Sequence, residues 1–322
     1  MAHTDDRIVL ASPNVLVLLP LNDSQRATLE GAAPAAAFTY TDYEPTSNQV
    51  ASADVIIGNL APKRLGEAKR LRLLQLNSAG YDNYVAAGTL PEDAMLASAS
   101  GAYGQAVSEH VLAMVLSMLK RLPAYRDSQR THDWIDHGPV TTLKEAQVFV
   151  SGTGDIGGHF ARLATALGAH VTGFRRHAGE PPAGFESVHT MDELPSLLGQ
   201  ADVVASFLPS TPATRGLVDR DFLAAMRPGS YLANGGRGDL VVTKDLVAAL
   251  ESGHLAGAAL DVTSPEPLPA DSPLWDAAGA FVTPHVSGGF HLPAVLDNIC
   301  IIAAENLRRL AAGEEPRNLV RR

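Results

Sequence analysis

Apolar positions along the chain come mostly in short strand-length runs separated by stretches of helical spacing. Residues 15–19, 38–40, 55–57 and 73–76 predict strands, with a helix over 24–30. A longer apolar stretch, 106–122, predicts a helix whose Met114, Leu116, Met118 and Leu119 fill a core or a subunit contact, and Ser100-Gly101 before it reads as a hinge. Residues 125–140 are polar around His132, Trp134, His137, Gly138 and Pro139, and read either as an exposed arm reaching a partner subunit or as a surface loop. Strands follow at 148–150, 169–174, 202–208, 230–234, 255–262 and 280–283. Helices lie over 191–198, 219–226 and 244–251, the first capped by a Thr190–Glu193 box and the others stopped by Pro228-Gly229 and Gly253. A last helix, 294–312, is expected to return to the first domain. Strands alternating with helices imply parallel sheets covered on both faces. The pattern predicts two doubly wound α/β domains. A flavodoxin-like domain is expected over 1–100 with 289–322, and a six-stranded Rossmann domain over 101–288.

The second domain opens on a strand, a tight glycine turn and a helix. Gly152, Thr153, Gly154, Asp155, Ile156 and Gly157 follow the run at 148–150, and Phe160, Leu163, Ala164 and Leu167 then repeat at helical spacing up to Gly168. The first glycine permits the turn, the second lets backbone approach a pyrophosphate, and the third lets helix pack on strand. About twenty residues beyond such a motif an NAD site carries a carboxylate for the ribose 2′-hydroxyl. Here Arg175 and Arg176 stand instead, and the first carboxylate is Glu180, so NADP is favoured and NAD remains possible.

Composition narrows the partners. A net charge of −10 without a basic cluster larger than Arg175-Arg176 or the Arg321-Arg322 tail argues against nucleic acid. No apolar run reaches membrane-spanning length. Residues 8–19, broken by Ser12-Pro13-Asn14 and without a basic leader, read as carrying a first strand at 15–19 rather than a signal peptide, so a cytoplasmic location is expected. The single cysteine, Cys300, sits among Ile299, Ile301 and Ile302 as a core thiol. His110, His132, His137 and His159 show no metal-ligand spacing, and no metal is expected.

Three polar residues each follow one of the last three strands: Arg237, Glu266 and His285. In a parallel sheet the carboxyl ends of the strands open on one edge, the edge that holds the pyrophosphate, so the three can converge beside a nicotinamide. A guanidinium fork for a carboxylate, a proton donor for a carbonyl oxygen and a carboxylate that keeps the donor charged are what a 2-oxo acid reductase needs. Singly, each is also an ordinary surface or turn residue. The turn Asn77-Ser78-Ala79-Gly80, after the strand at 73–76, is either a backbone anion site or a plain loop.

Taken together, the runs at 73–80, GTGDIG, FLPSTPATRGLV at 207–218, NGGRGDLV at 234–241, DVTSPEPL at 261–268 and TPHVSG at 283–288 resemble the D-isomer-specific 2-hydroxyacid dehydrogenases over nearly the whole chain. The resemblance implies that the first domain is the substrate domain and the second the dinucleotide-binding one, with a carboxylate-binding loop at Ser78, Ala79 and Gly80 and with Arg237, Glu266 and His285 as the catalytic set. It also implies a nicotinamide carboxamide contact at Asp261 and dinucleotide contacts at Pro209, Ser210, Thr214 and Gly288. A homodimer through the 106–122 helix and the Trp134 arm is implied as well. Two departures stand out: Arg175-Arg176 in place of the acidic residue, and Gly235-Gly236 where bulkier residues are usual, which leads us to expect a looser pocket there. The function so implied is NAD(P)H-dependent reduction of a small 2-oxo acid, of the glyoxylate/hydroxypyruvate kind. Phosphite or formate oxidation on the same scaffold, or a dinucleotide-sensing corepressor-like regulator, are the alternatives.

Overall fold

The computed structural model of the chain describes residues 9–41, 44–85, 90–177 and 179–321. Ile8, Ala178 and Arg322, which the sequence reading included, lie outside them. The chain divides into two compact units, Met1–Tyr103 with Phe290–Arg322, and Gly104–Gly289.

In the first unit the elements run β1 (Asn14–Val17), α1 (Asp23–Ala32), β2 (Ala37–Tyr40), α2 (Ser47–Ser52), β3 (Val55–Ile57), β4 (Leu73–Gln75) and β5 (Met95–Ala97). The five strands pair in the order β2-β1-β3-β4-β5, all parallel, the doubly wound order of flavodoxin-like sheets. Helix α1 starts on a capping box in which Asn22 Oδ1 accepts from Gln25 N–H and Gln25 Oε1 accepts from Asn22 N–H. Leu16, Ile56, Leu65, Leu74 and Leu96 build the core. Strand β5 and helix α2 were absent from the sequence reading, because three apolar residues and a polar six-residue helix carry too little periodicity to register.

The second unit begins with α3 (Gly104–Leu119) and α4 (Leu122–Thr131) and continues β6 (Gln147–Ser151), α5 (Asp155–Ala166), β7 (His170–Arg175), β8 (Ser187–Thr190), α6 (Leu194–Leu197), β9 (Val203–Ser206), α7 (Arg220–Ala225), β10 (Tyr231–Asn234), α8 (Thr243–Glu251), β11 (Gly257–Leu260) and β12 (Ala280–Val282). Its parallel sheet has the order β12-β11-β10-β9-β6-β7-β8. Read from β6, this is the 3-2-1-4-5-6 Rossmann order with a seventh strand added beyond the sixth. The count thus exceeds the six expected. The missed strand is β8, an edge strand with a single apolar residue, Val188. Its presence also shifts the expected Thr190–Glu193 cap: Glu193 Oε2 accepts from Thr190 N–H and Oγ1–H at 2.8 Å each, and the helix starts only at Leu194. The polar stretch after α3 likewise differs from the expected arm, since α4 occupies 122–131 and irregular chain begins after it.

Phe149, Phe174, Leu194, Val204, Leu232 and Leu260 form the centre of this unit's core, with the Phe149 and Phe174 rings 5.1 Å apart. Helix α3 packs along α5 and reaches β10 and β11. The last helix, α9 (Pro293–Ala311), packs on α1. No helix among the described residues is long and apolar enough to cross a membrane.

Candidate active site

The glycine turn lies at the carboxyl end of β6, where α5 begins. Gly152 adopts φ +93°, a left-handed conformation that side chains resist. A Cβ on Gly154 would meet nothing within 4 Å, whereas one on Gly157 would stand 1.9 Å from the Gly152 carbonyl oxygen. The three positions therefore act as turn, open approach and close contact. Gly154 caps α5 without a side-chain hydrogen bond, leaving the first-turn N–H groups to an anion.

Strand β7 ends one strand away, at Arg175. Its Nε is buried and has no hydrogen-bond partner among the described residues, while Nη2 donates to the Glu180 carbonyl at 3.1 Å. An orphaned guanidinium N–H beside a nucleotide turn fits an anionic acceptor such as a ribose 2′-phosphate. Arg176 is exposed. The turn and this arginine together fit a nicotinamide dinucleotide.

The loop after β9 holds the other expected nucleotide contacts. Pro209 is exposed, and its carbonyl accepts from Thr214 Oγ1 at 2.6 Å; Ser210 Oγ donates to Asp239 Oδ2 at 2.6 Å. Both hydroxyls thus shape the loop from within.

Arg237 follows β10 on a turn clamped by Asn234, which is wholly buried. Asn234 Nδ2 donates to the Arg237 carbonyl at 2.9 Å, and its Oδ1 accepts from Gly236 N–H at 3.1 Å. The glycines before Arg237 do not loosen the site as expected. A Cβ on Gly236 would stand 2.6 Å from the Leu208 carbonyl oxygen, and one on Gly235 would stand 2.8 Å from Val111 Cγ2 and 3.0 Å from Phe207 Cε1. The small residues there admit close backbone packing. Next along the chain, Gly238 backs on the Thr263 carbonyl, so the arginine turn leans on the loop that carries Glu266.

Glu266 stands between two cis prolyl bonds, Ser264–Pro265 and Glu266–Pro267. Its Oε1 accepts from Thr263 N–H at 3.0 Å, and its Oε2 lies 2.9 Å from His285 Nδ1. His285, three residues past β12, has φ +51° and is exposed. With Nδ1 held by the carboxylate, Nε2 is the ring nitrogen left to exchange a proton with a ligand.

Asp261 is the residue whose surroundings depart most from expectation. It is only 1% exposed, and its carboxylate accepts from Thr283 Oγ1 at 2.6 Å, Val286 N–H at 3.0 Å, Ser287 N–H at 3.2 Å and Ser287 Oγ. Burial pushes this carboxyl up, but the four hydrogen bonds outweigh it and hold the group below the ordinary aspartate value. Four donors fill the acceptor sites of a carboxylate. The side chain expected to meet a carboxamide fastens the turn from 283 to 287, which includes His285 and ends beside Gly288.

In the first unit, Ser78, Ala79 and Gly80 follow β4 as a half-exposed turn. Ser78 Oγ donates to the Gly80 carbonyl at 2.6 Å, and Tyr103, whose phenol burial pushes up to about 12, donates to the Asn77 carbonyl. Among the described residues no group of three His, Cys, Asp or Glu side chains is placed to hold a metal.

A family model described as "D-isomer specific 2-hydroxyacid dehydrogenase, NAD binding domain" matches residues 112–287. The chain is similar to the crystal structure of a D-isomer-specific 2-hydroxyacid dehydrogenase family protein from Aeromonas salmonicida, at 32% identity and a TM-score of 0.84 over 96% of this chain and 98% of that one. It is similar to a D-isomer-specific 2-hydroxyacid dehydrogenase from Xanthobacter autotrophicus solved with NADPH, at 29% identity and a TM-score of 0.81 over 96% and 98%. It is 31% identical to a hydroxypyruvate reductase from Blautia hydrogenotrophica, over 77% of this chain and 79% of that protein. The chain spans about half the length of the mycobacterial D-3-phosphoglycerate dehydrogenases it also matches, 47% of each.

Proposed function

This chain belongs to the D-isomer-specific 2-hydroxyacid dehydrogenases, and from that premise we propose that it reduces a small 2-oxo acid to the D-2-hydroxy acid with NADPH in preference to NADH. The His285–Glu266 pair carries the assignment: an imidazole held at 2.9 Å by a carboxylate, on the strand edge that also bears the glycine turn. When bound, the nicotinamide supplies a hydride to C2. His285 Nε2 gives the proton taken up by the carbonyl oxygen, and Glu266 fixes the ring and balances its charge. Arg237 offers a fork to the substrate carboxylate, and the Ser78-Ala79-Gly80 turn offers backbone N–H groups to the same kind of group. Gly152, Thr153, Gly154, Asp155, Ile156 and Gly157 would cradle the pyrophosphate. Glyoxylate and hydroxypyruvate are the first substrates to test, a choice supported by the similarity to a hydroxypyruvate reductase. The single, buried Cys300 supports a cytoplasmic location.

The test is loss of reduced-nicotinamide absorbance with each cofactor against a panel of 2-oxo acids. NADPH is expected to turn over faster. Arg175→Ala should lower kcat/KM for NADPH by about 10- to 100-fold, the worth of a charge-assisted hydrogen bond, and leave NADH almost unchanged. Arg176→Ala should do less, since Arg176 is exposed and Arg175 carries the orphaned N–H. An NADH preference in the unaltered protein would discard the role of Arg175. Turnover of phosphite or formate alone, or of nothing, would discard the 2-oxo acid.

The working unit is a homodimer in the same proposal. Val107, Val111, Met114 and Met118 of α3 are buried, and the large exposed apolar side chains lie in the stretch just after that helix. Trp134 is fully exposed, and Leu122, Ile135 and Val140 are each more than half exposed. Large apolar side chains left exposed along one stretch of chain support an interface there. Sedimentation should find a dimer, and Trp134→Ala should weaken it about 30-fold or more, the effect of truncating an interface tryptophan. A monomer at every concentration would end this part of the proposal.

A further inference from the structure

The His285 turn is anchored by a hydrogen-bond chain that begins on a different element, α3. His110 Nε2 lies 3.0 Å from Thr283 Oγ1 and 3.6 Å from Asp261 Oδ1. Thr283 has one hydroxyl hydrogen, and it points to Asp261 Oδ1 at 2.6 Å because a carboxylate can only accept. The threonine oxygen must therefore accept from His110, which carries its hydrogen on Nε2. Asp261 in turn binds the N–H groups of Val286 and Ser287, and its backbone carbonyl binds His285 N–H at 2.7 Å.

The same helix also braces the nucleotide turn. Gly104, at the start of α3, lies so close to the first two turns of α5 that a Cβ there would stand 2.3 Å from His159 Nδ1 and 2.5 Å from Asp155 Oδ1. One rigid rod thus touches the helix that follows the glycine turn and, two turns on, the strand end that carries the proton donor. Hydride and proton must reach adjacent atoms of one carbonyl, so the spacing between these two places matters. His285 also sits at φ +51°, a conformation that a non-glycine residue keeps only when its surroundings enforce it.

We propose that His110 is a positioning residue: through Thr283 and Asp261 it fixes the His285 turn against α3, and so against the nucleotide-binding helix, without touching substrate itself. The catalytic part of this inference rests on the reductase reading; the anchoring part does not.

Two variants test it. His110→Leu removes the donor at similar size, and His110→Gln restores an N–H where the imidazole Nε2 lay. With the 2-oxo acid that the unaltered protein reduces, His110→Leu should lower kcat by about 10- to 100-fold and leave NADPH affinity within about twofold, because only the geometry of the reacting groups changes. Amide exchange at His285, Val286 and Ser287 should quicken about fivefold, the loss of one hydrogen bond's worth of protection. His110→Gln should recover both. Unchanged exchange in His110→Leu, or a folded His110→Gln as impaired as His110→Leu, overturns the inference. If the unaltered protein reduces no 2-oxo acid, the substrate reading falls, and exchange alone decides: quickened in Leu and restored in Gln upholds the anchor, unchanged overturns it.

Discussion

Alanine at His285 is expected to cut kcat by about 10²- to 10⁴-fold, the usual contribution of a general acid, while NADPH affinity stays near that of the unaltered protein. Affinity is spared because the imidazole is separate from the glycine turn and from Arg175. The loss falls on kcat because the proton is needed only as charge develops on the carbonyl oxygen, an interaction made in the transition state. A complication is built into the backbone: alanine at φ +51° is strained, so a simple truncation mixes lost chemistry with a disturbed turn. Asparagine tolerates that conformation and cannot serve as an acid. His285→Asn should therefore match the alanine variant in activity while unfolding at nearly the temperature of the unaltered protein. If His285→Asn kept more than about a tenth of the activity, a loss below the range expected of a general acid, the proton would have to come from elsewhere.

His285 and Glu266 were legible as candidates because each follows a strand of one parallel sheet, and strand order is written in the alternation of apolar runs and helical periods. They lie nineteen positions apart in the chain, and the 2.9 Å contact follows from neighbouring strands β11 and β12 ending in register. The glycine turn was legible for a related reason, since its spacing encodes three different steric demands. What the sequence hid was compensation inside the fold. Gly235 and Gly236 look like missing bulk, yet Phe207, Leu208 and Val111 occupy the space. Asp261 looks like a free carboxylate ready for a ligand, yet four donors from the next loop fill it. His110 was one histidine among several without ligand spacing, and only the approach of α3 to β12 gives it Thr283 as a partner. One sign was available: a polar ring beside Val107, Val111 and Met114 on a largely buried helix is a place to look for a hydrogen-bond partner. Strand β8 was hidden for the opposite reason, as an edge strand that buries little leaves almost no hydrophobic trace.

Gly157→Ala tests the nucleotide site through packing rather than charge. The added methyl would stand 1.9 Å from the Gly152 carbonyl oxygen and 3.2 Å from Val150 Cγ1. The first contact is with backbone, which cannot rotate away as a side chain would. Relief requires α5 to move off β6, and that movement carries the helix N-terminus and its free N–H groups away from the turn. Overpacking of this kind costs about 3 kcal/mol, which for a unit of this size lowers Tm by about 6–12 °C. NADPH affinity should fall by more than tenfold, because the anion would lose donors as well as close approach. Gly154→Ala supplies the contrast: its methyl enters open space in the free protein, so stability should hold while cofactor affinity falls. If both variants bound NADPH like the unaltered protein, the pyrophosphate would have to lie somewhere other than the β6–α5 turn. If Gly157→Ala kept its Tm, the close packing of helix on strand would not be what this glycine is for.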